Sequence, residues 1–368
     1  MKKKNILKTS LKIIGIALGI LILALLAYIV YLYASYYRIE DNQELVVEAP
    51  VDDTTTGAAA VLATDTEYSA VTYNIGFGAY LPDYSFFMDG GTSSWAESPE
   101  TVQYAINGAG ELVKSLDPDF ALIQEIDLDA TRSYHTDEYG MLRNLLPEYT
   151  TVFAQNYDSA FLFYPFTQPH GSSRAGLGLF SKYPVSSALR RSFPISTSFS
   201  KFFDLDRCYS VSRIPVDNGK ELVIFNLHMS AYGNSDEIRK GQIEMLCNDM
   251  AKEYEAGNYV LCGGDFNHDL KASEEDTESC ESWAFPFPRT ELPEHFAFCL
   301  DLLSSEEQAA LWNSARNADM EYVPGVTYTV TLDGFIISDN IECLSYENVS
   351  TGYSYSDHDP VKVEFVLK

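Results

Sequence analysis

The stretch YSYSDHDPVKVEF, residues 353–365, places Ser, Asp, His and Asp directly before an apolar segment close to the end of the chain. Chain ends usually fray. A cluster of ionisable groups in this position therefore belongs either to a solvated tail or to a functional site that the last strand holds in place. The segment Lys362–Leu367 has the composition of a strand, and the rest of the chain decides between the two interpretations.

Strands and helices alternate from about Glu67 to the end of the chain, which predicts one α/β domain without internal repeats. Ser98, Pro99 and Glu100 form a helix start signal, and Asp117-Pro118 ends that helix. Asp217-Asn218-Gly219 is a hairpin turn signal between two apolar runs. A second helix is predicted over Glu237–Tyr254. The predicted strands are Ala70–Ile75, Phe120–Ile126, Gly178–Ser181, Tyr209–Val216, Glu221–Leu227, Tyr259–Cys262 (closed by Gly263-Gly264), Thr327–Val330, Phe335–Ser338 and Lys362–Leu367.

Two aromatic stretches, Ala154–Ala175 and Lys271–Leu300, have the composition of insertions. They are expected either to cover a corner of the core or to meet the substrate or a membrane.

The N-terminus predicts a membrane anchor. Lysines 2, 3, 4, 8 and 12 precede Ile13–Tyr33, an uncharged apolar run of 21 residues with tyrosines near its far end. A helix of that length spans roughly 30 Å of hydrocarbon. A cleaved signal peptide is the alternative, but the run is long and Tyr-Ala-Ser-Tyr-Tyr is a poor cleavage site. We expect residues 1–12 to be cytoplasmic, 34–66 to be a linker, and 67–368 to be an extracytoplasmic domain on a single-pass cell-membrane protein.

The part of the chain beyond the anchor is strongly acidic. The whole chain has a formal net charge of −28, although its first 38 residues contain six Lys/Arg and no Asp/Glu. Such a domain repels polyanions, so a strong nucleic-acid-binding surface is not expected. The six cysteines show no Cys-x-x-Cys spacing and indicate no zinc cluster. Cys280 and Cys299 flank one loop, and whether they form a disulfide stays open.

Polar residues stand at the edges of several predicted strands. They are Asn74, Gln124, Glu125, His228, Asp265, Asn267, Asp333, Asp357 and His358. Clustered carboxylates repel one another and need a cation, and hard oxygen ligands suit Mg²⁺, Mn²⁺ or Ca²⁺. Such a cation offsets charge on a phosphoryl oxygen and orients water. Histidines held by carboxylates supply protons or hydrogen bonds to a phosphate, and Asn adds neutral donors. This mixture predicts metal-assisted hydrolysis of a phosphate ester.

The same residues lie in motifs with a fixed order along the chain. The motifs are Thr72-Tyr73-Asn74-Ile75, Ile123-Gln124-Glu125, Asn226-Leu227-His228, Gly263-Gly264-Asp265-Phe266-Asn267, Leu332-Asp333 and Ser356-Asp357-His358-Asp359-Pro360-Val361. Together they resemble the motifs of the endonuclease/exonuclease/phosphatase superfamily over roughly residues 68–368. The resemblance implies a four-layer α/β sandwich, with two mixed β-sheets face to face and helices outside, and a site at one end.

The resemblance also implies a role for each residue around the metal ion and the attacking water. Glu125 would be the main ligand of Mg²⁺ (or Mn²⁺ or Ca²⁺), with Asn74 and Asp357 beside it. Asp265 would position or activate the water, and Asn267 would contact the scissile phosphate.

Further roles concern the phosphate. By the same resemblance, His358, oriented by Asp333, and His228 would stabilise or protonate the phosphate. Arg207 resembles a phosphate-contacting Arg of some members, with Arg213 as the competing candidate.

We therefore expect a metal-dependent phosphodiesterase that acts on a lipid headgroup or a small phosphoester near the membrane. An extracellular nuclease of the same fold is the alternative. A non-catalytic binding module is the third possibility, and the presence of Glu125, Asp265 and His358 argues against it.

Overall fold

The computed structural model of the chain describes residues 2–52, 61–231, 236–273 and 284–368. It divides into two compact units, Met1–Arg38 and Ile39–Lys368. The first unit consists of helix α1 (Lys2–Ser35). Within α1, Ile6–Ser35 is long and apolar enough to cross a membrane, a property that signal sequences share.

The second unit is built from two large sheets and four further helices. The helices are α2 (Pro99–Leu116), α3 (Glu138–Leu145), α4 (Asp236–Glu255) and α5 (Ser305–Ala310). The strands are β1 (Gln43–Glu44), β2 (Val47–Glu48), β3 (Glu67–Asn74), β4 (Phe120–Ala130), β5 (Thr150–Asp158), β6 (Ser173–Ser181), β7 (Ser187–Ser192), β8 (Cys208–Pro215), β9 (Glu221–His228), β10 (Tyr259–Asp265), β11 (Phe296–Phe298), β12 (Ala315–Arg316), β13 (Thr329–Val330), β14 (Asp333–Ser338), β15 (Ile341–Asn348) and β16 (Val361–Leu367).

Both large sheets have seven strands and mix parallel with antiparallel pairs. The first has the order β1-β7-β8-β9-β10-β14-β11, and the second has the order β15-β16-β3-β4-β6-β5-β2. The parallel pairs are β9 with β10 and β3 with β4. The short pair β12-β13 stands apart from the two sheets.

The sheets pack face to face, and helices cover their outer faces. Apolar side chains from both sheets, such as Leu122, Ile224 and Val363, share one buried cluster, which α4 also joins through Leu246. A second cluster lies between the other face of the second sheet and helices α2 and α3, where Ile106 is fully buried. This is the four-layer α/β sandwich that was predicted.

The chemistry of the helix termini explains where α2 begins and ends. The Ser98 hydroxyl accepts a hydrogen bond from the Thr101 N–H, and Pro99 stands at the first position of the helix. Asp117 adopts a left-handed conformation that ends the helix. Both boundaries agree with the sequence signals.

The prediction that Gly263-Gly264 ends its strand was wrong, because β10 runs on through Asp265. Gly264 has a φ of +147°, and a Cβ there would lie 2.1 Å from the Leu227 carbonyl oxygen. The glycine therefore allows two strands to approach closely instead of breaking one.

Two other stretches differ from their predicted organisation. Within the predicted linker, β1 and β2 pair with β7 and β5 and so extend the edges of the two sheets. The start of the predicted insertion Ala154–Ala175 is the end of β5, which pairs with β6. Of the Cys280–Cys299 pair, Cys280 lies outside the described residues, and Cys299 is buried in hydrogen-bonding contact with Cys343.

Candidate functional site

Strand register brings the predicted residues of the first sheet together. His228 at the end of β9 lies directly opposite Asp265 at the end of β10. Asp265 in turn lies opposite Asp333, the first residue of β14. Three neighbouring strands therefore present an imidazole and two carboxylates at the same end of the sheet.

The second sheet supplies the remaining residues from the facing strands. Asn74 ends β3 and lies opposite Gln124 of β4. β16 pairs with β3 from Val361 onward, so Asp357 and His358 immediately precede a strand in the interior of the sheet. Inside the sandwich, Gln124 Nε2 donates to Asn226 Oδ1 at 2.8 Å and links the two sheets just below the site.

Glu125 enters the site because β4 contains a bulge. The register of β4 with β6 shifts between Ile123 and Ile126, and Glu125 has a φ of +56°. A bulge redirects the side chain that it carries, and Glu125 lines the cleft with a side chain that is 23% exposed. Burial and the neighbouring Asp357 carboxylate raise the pKa of Glu125.

Asn74 connects two of the carboxylates. Its Nδ2 donates to Glu125 Oε1 at 3.2 Å and to Asp265 Oδ2 at 3.1 Å, while its Oδ1 accepts the Gly76 N–H. In this orientation the side chain presents its nitrogen to the carboxylates. The nitrogen links Glu125 to Asp265, and the oxygen, which is directed at Gly76, would have to turn toward the carboxylates to bind a cation with them.

Asp265 is the central carboxylate. Its Oδ1 accepts the Asn267 N–H at 2.9 Å, and its Oδ2 lies 3.5 Å from His228 Nε2 and 3.9 Å from His358 Nε2. Burial and the charge of Asp333 raise the pKa of Asp265 to about 7. The carboxylate thus releases and accepts a proton near neutral pH.

His228 and Asn267 flank this carboxylate. Burial, together with the nearby cation of Arg207, lowers the pKa of His228 well below its usual value, so the ring is neutral. Its Nδ1 has no hydrogen-bond partner within the described part of the chain. Asn267 lines the cleft, and its Nδ2 donates to the Met229 carbonyl at 2.9 Å, which fixes the orientation of the amide.

His358 and Asp333 form a buried dyad. The Nδ1 of His358 lies 2.7 Å from Asp333 Oδ2, and the same oxygen accepts a hydrogen bond from the Ser314 hydroxyl at 2.7 Å. Burial alone would lower the pKa of His358, but the charges of Asp333, Asp265 and Asp357 raise it well above its usual value. His358 is therefore an imidazolium whose Nε2 points toward Asp265.

Of the two arginines that the sequence offered for the phosphate, Arg207 is the one that reaches the cleft. It is 7% exposed, lines the cleft, and has no partner for Nε or Nη1 among the described residues. Its competitor Arg213 is bound instead by Glu221 and Glu253 and does not line the cleft. A buried guanidinium with two unpaired donor nitrogens suits an anion such as a phosphate.

The cleft has a volume of about 410 Å³ and also contains residues that the sequence did not reveal. These are Asp89, Arg132, Asn156, His170 and Arg316. None of them lies in a recognised motif. Arg132 is neutralised by Asp127 and lies over the Phe77 ring, whereas burial and the Asp357 carboxylate raise the pKa of Asp89 to about 7.

The donor set fits a divalent cation. Glu125 and Asp357 line the cleft together, and the Asp357 charge raises the pKa of Glu125, a repulsion that a bound cation would relieve. Ligand atoms of Asp265, Asp333 and His358 also lie within 4.8 Å of one another. In that second group, however, His358 Nδ1 and Asp333 are already engaged in their own hydrogen bond. Oxygen-only ligation by Glu125 and Asp357 is the better match for Mg²⁺.

Comparison with protein families supports the assignment of the fold. The model of the Endonuclease/Exonuclease/phosphatase family matches residues 71–302. The chain belongs to this family. The match stops short of Asp333, Asp357 and His358, which the fold adds to the same edge of the sandwich. Comparison with curated proteins returned no match.

Solved structures show the same fold at low sequence identity. A family member from Bacteroides vulgatus is 17% identical with a TM-score of 0.53, covering 83% of this chain and 100% of that one. D. rerio TDP2, complexed with single strand DNA product, is 14% identical with a TM-score of 0.54, covering 82% and 99%. ANGEL2, a 2′,3′-cyclic phosphatase, is 12% identical with a TM-score of 0.56, covering 82% and 96%.

Proposed function

We propose that the protein is a divalent-metal-dependent phosphohydrolase that cleaves a phosphodiester by direct attack of water. The observation that carries this proposal is the His358–Asp333 dyad facing Asp265, in one cleft with Glu125 and Arg207. The described residues that line the cleft include no Ser, Thr or Cys, which is consistent with a reaction that forms no ester or thioester on those side chains.

Glu125 and Asp357, with Asn74 if its amide turns, would hold a Mg²⁺, Mn²⁺ or Ca²⁺ ion. When bound, such an ion offsets negative charge on the phosphate and lowers the pKa of water. Its divalent charge also compensates the carboxylates that crowd this end of the sandwich.

The protein side chains divide the proton transfers between them. Asp265, with a pKa near 7, accepts a proton from the attacking water. His358, kept protonated by Asp333, donates a proton to the departing alcohol or a hydrogen bond to the phosphate. Neutral His228 and the amide of Asn267 offer hydrogen bonds to the phosphate oxygens, and Arg207 supplies the positive charge.

We further propose that α1 anchors the protein in the cell membrane and that the catalytic unit is extracytoplasmic. The lysine-rich start of the chain supports this orientation, because basic residues stay on the cytoplasmic side. A protease added to intact cells should then cleave residues 39–368 and spare a tag at the N-terminus. Protection of the catalytic unit would contradict this orientation.

Small phosphodiesters or lipid headgroups are the proposed substrates. A nuclease is the second candidate, favoured by the TDP2 structure with its DNA product. The excess of 53 Asp/Glu over 25 Lys/Arg argues against it, because a polyanion would be repelled from such a surface.

Hydrolysis by the full-length chain in detergent tests the proposal. The substrates are an artificial phosphodiester, a phosphomonoester, sphingomyelin vesicles and DNA, each assayed with Mg²⁺, Mn²⁺ or a chelator. Turnover that requires metal and disappears in Glu125→Ala and His358→Ala supports the proposal, and the preferred substrate identifies the subclass. A folded protein without turnover on any substrate would favour the binding-module alternative.

A further inference from the structure

The lining of the cleft includes a polar residue that the mechanism does not use. Asn156 is 1% exposed and lines the cleft, yet neither its Nδ2 nor its Oδ1 has a hydrogen-bond partner among the residues described. Leaving both groups of a buried amide unpaired destabilises the fold. Because Asn156 lines the space that a substrate would enter, a ligand is the natural partner for both atoms.

The backbone of β5 is shaped to aim this side chain. Gln155 pairs with Gly176 and Tyr157 pairs with Ala175, so Asn156 is the extra residue of a β-bulge. Gly176 belongs to this arrangement, since a Cβ there would lie 2.3 Å from the Ala154 carbonyl oxygen. Bulges next to functional sites redirect a side chain, and Glu125 reaches the same cleft through a bulge in β4.

Asn156 and Arg207 lie on the same wall. The carbonyl oxygen of Gln155 accepts a hydrogen bond from Arg190 Nε at 2.6 Å and lies 3.8 Å from Cys208 Sγ. These contacts join the residue before Asn156 to the residue after Arg207. Two buried side chains with unpaired polar atoms thus line the cleft from neighbouring segments of the chain.

The unpaired atoms define the chemistry of the ligand. The unpaired Nε and Nη1 donors of Arg207 suit an oxyanion such as a phosphate. Asn156 offers an NH₂ group that donates and an Oδ1 that accepts, so an oxyanion alone satisfies only its Nδ2. Its Oδ1 requires a group that donates a hydrogen bond, and an alcohol that is esterified to the phosphate and retains a free hydroxyl provides one at short range.

We infer that Asn156 is a positioning residue that selects phosphoesters of polyols, with Arg207 holding the phosphate and Asn156 accepting a hydrogen bond from the neighbouring free hydroxyl. This inference rests on the proposed function and specifies its substrate class. A polyol phosphate occurs both as a soluble ester and as a lipid headgroup, and the experiment separates these two sources.

Binding and turnover are measured with matched ligands on the full-length chain in detergent. Glyceryl phosphate and propyl phosphate, which differ in their hydroxyls, are titrated by calorimetry. Their p-nitrophenyl diesters are used for kinetics, and vesicles of phosphatidylglycerol and phosphatidylpropanol form the lipid arm. The wild-type chain should favour the glyceryl member of each pair by roughly 10- to 100-fold, as expected when one buried hydrogen bond is gained or lost.

Asn156→Leu should reduce that preference to less than about threefold, because the isosteric side chain accepts no hydrogen bond. The expected change lies in Kd and KM more than in kcat. Asn348→Leu is the matched control, since Asn348 is also buried but does not line the cleft, and it should retain the wild-type preference. Preference for soluble over vesicle ligands, or the reverse, identifies the source of the polyol phosphate.

Equal affinity of the wild-type chain for the two soluble ligands would overturn the inference without any variant. An unchanged preference in a folded Asn156→Leu would overturn it as well. Selective binding of glyceryl phosphate without turnover of any diester would instead contradict the proposed function and leave the binding inference supported.

Discussion

The His358–Asp333 dyad provides the most direct test of the proposed chemistry through Asp333→Asn. The variant should fold, because a single carboxylate oxygen, Asp333 Oδ2, accepts the hydrogen bonds from both the Ser314 hydroxyl and His358 Nδ1. An Asn side-chain oxygen can occupy the same place. The new NH₂ group replaces Oδ1, which has no partner in the described ranges. Its burial should cost about 1–3 kcal/mol of folding stability.

The magnitude of the effect follows from the lost charge. A carboxylate charge about 4 Å from the imidazolium charge, at an effective dielectric constant of about 20, stabilises it by about 4 kcal/mol. Removing that charge lowers the pKa of His358, which in the wild-type protein is well above the usual value. A smaller fraction of His358 rings is then protonated at neutral pH.

We expect kcat/KM of Asp333→Asn to fall by roughly 10²- to 10³-fold at neutral pH, within the usual contribution of a general acid. The deficit relative to the wild-type protein at the same pH should shrink as the pH is lowered and His358 regains its proton. Histidine NMR titration measures the pKa directly, independently of turnover. Asp249→Asn is the control, because Asp249 is a buried, ion-paired carboxylate that does not line the cleft. A His358 that titrates as in the wild type, with activity retained in Asp333→Asn, would refute the reasoning.

Four further results are expected. Arg207→Met should lower kcat/KM by roughly 10- to 100-fold through lost charge-assisted hydrogen bonds. Arg207→Lys should keep only part of the wild-type activity, because Lys has no planar guanidinium. Full activity of the Met variant would exclude the phosphate contact. Glu125→Gln should need at least about tenfold more Mg²⁺ than wild type for the same rise in melting temperature, and an equal titration would remove Glu125 from the ligand set. The raised pKa of Asp89, about 7, means that the folded state binds a proton that the unfolded state has released. Stability of the metal-free chain should therefore fall as the pH rises from about 4 to about 7, and less so in Asp89→Asn; equal pH slopes in thermal melts would contradict this. Mild oxidation should link Cys299 to Cys343, which are in hydrogen-bonding contact, and a linked peptide that persists in Cys343→Ser would show a different pairing by mass spectrometry.

Most of the architecture follows from local sequence signals. The capping Ser98, the turn at Gly219 and the apolar strand at Phe120 all predict elements that the structure contains. The signals failed where tertiary pairing overrides local preference. Gly264 suggests the end of a strand, but pairing on both sides holds it within β10. The aromatic start of the predicted insertion at Ala154 belongs to a paired strand.

The residues of the candidate site also fall into two groups, those that local sequence signals predict and those that only tertiary pairing places. Residues such as Asp265 and His228 follow apolar runs, and strand order brings such ends together. Asn156 has no comparable signal, because a bulge changes which face a side chain occupies and is set by pairing with β6. Arg132 and Asp89 lie outside the strands that define the motifs, in a 3₁₀ turn each. Their approach to the cleft depends on long-range packing that no local pattern encodes.

The polar cluster of residues 356–359 is held in place by β16, a strand in the interior of the second sheet. β16 pairs with β15 on one side and β3 on the other, so Asp357 and His358 precede a strand that is hydrogen-bonded along both edges. Ser356 donates to the Asn74 carbonyl oxygen at 2.8 Å and ties the cluster to the end of β3. The segment that leads into β16 thus brings Asp357 and His358 to the carboxylates contributed by strands earlier in the chain. For this reason the four layers must assemble before Asp265, His358 and Glu125 can share one cleft.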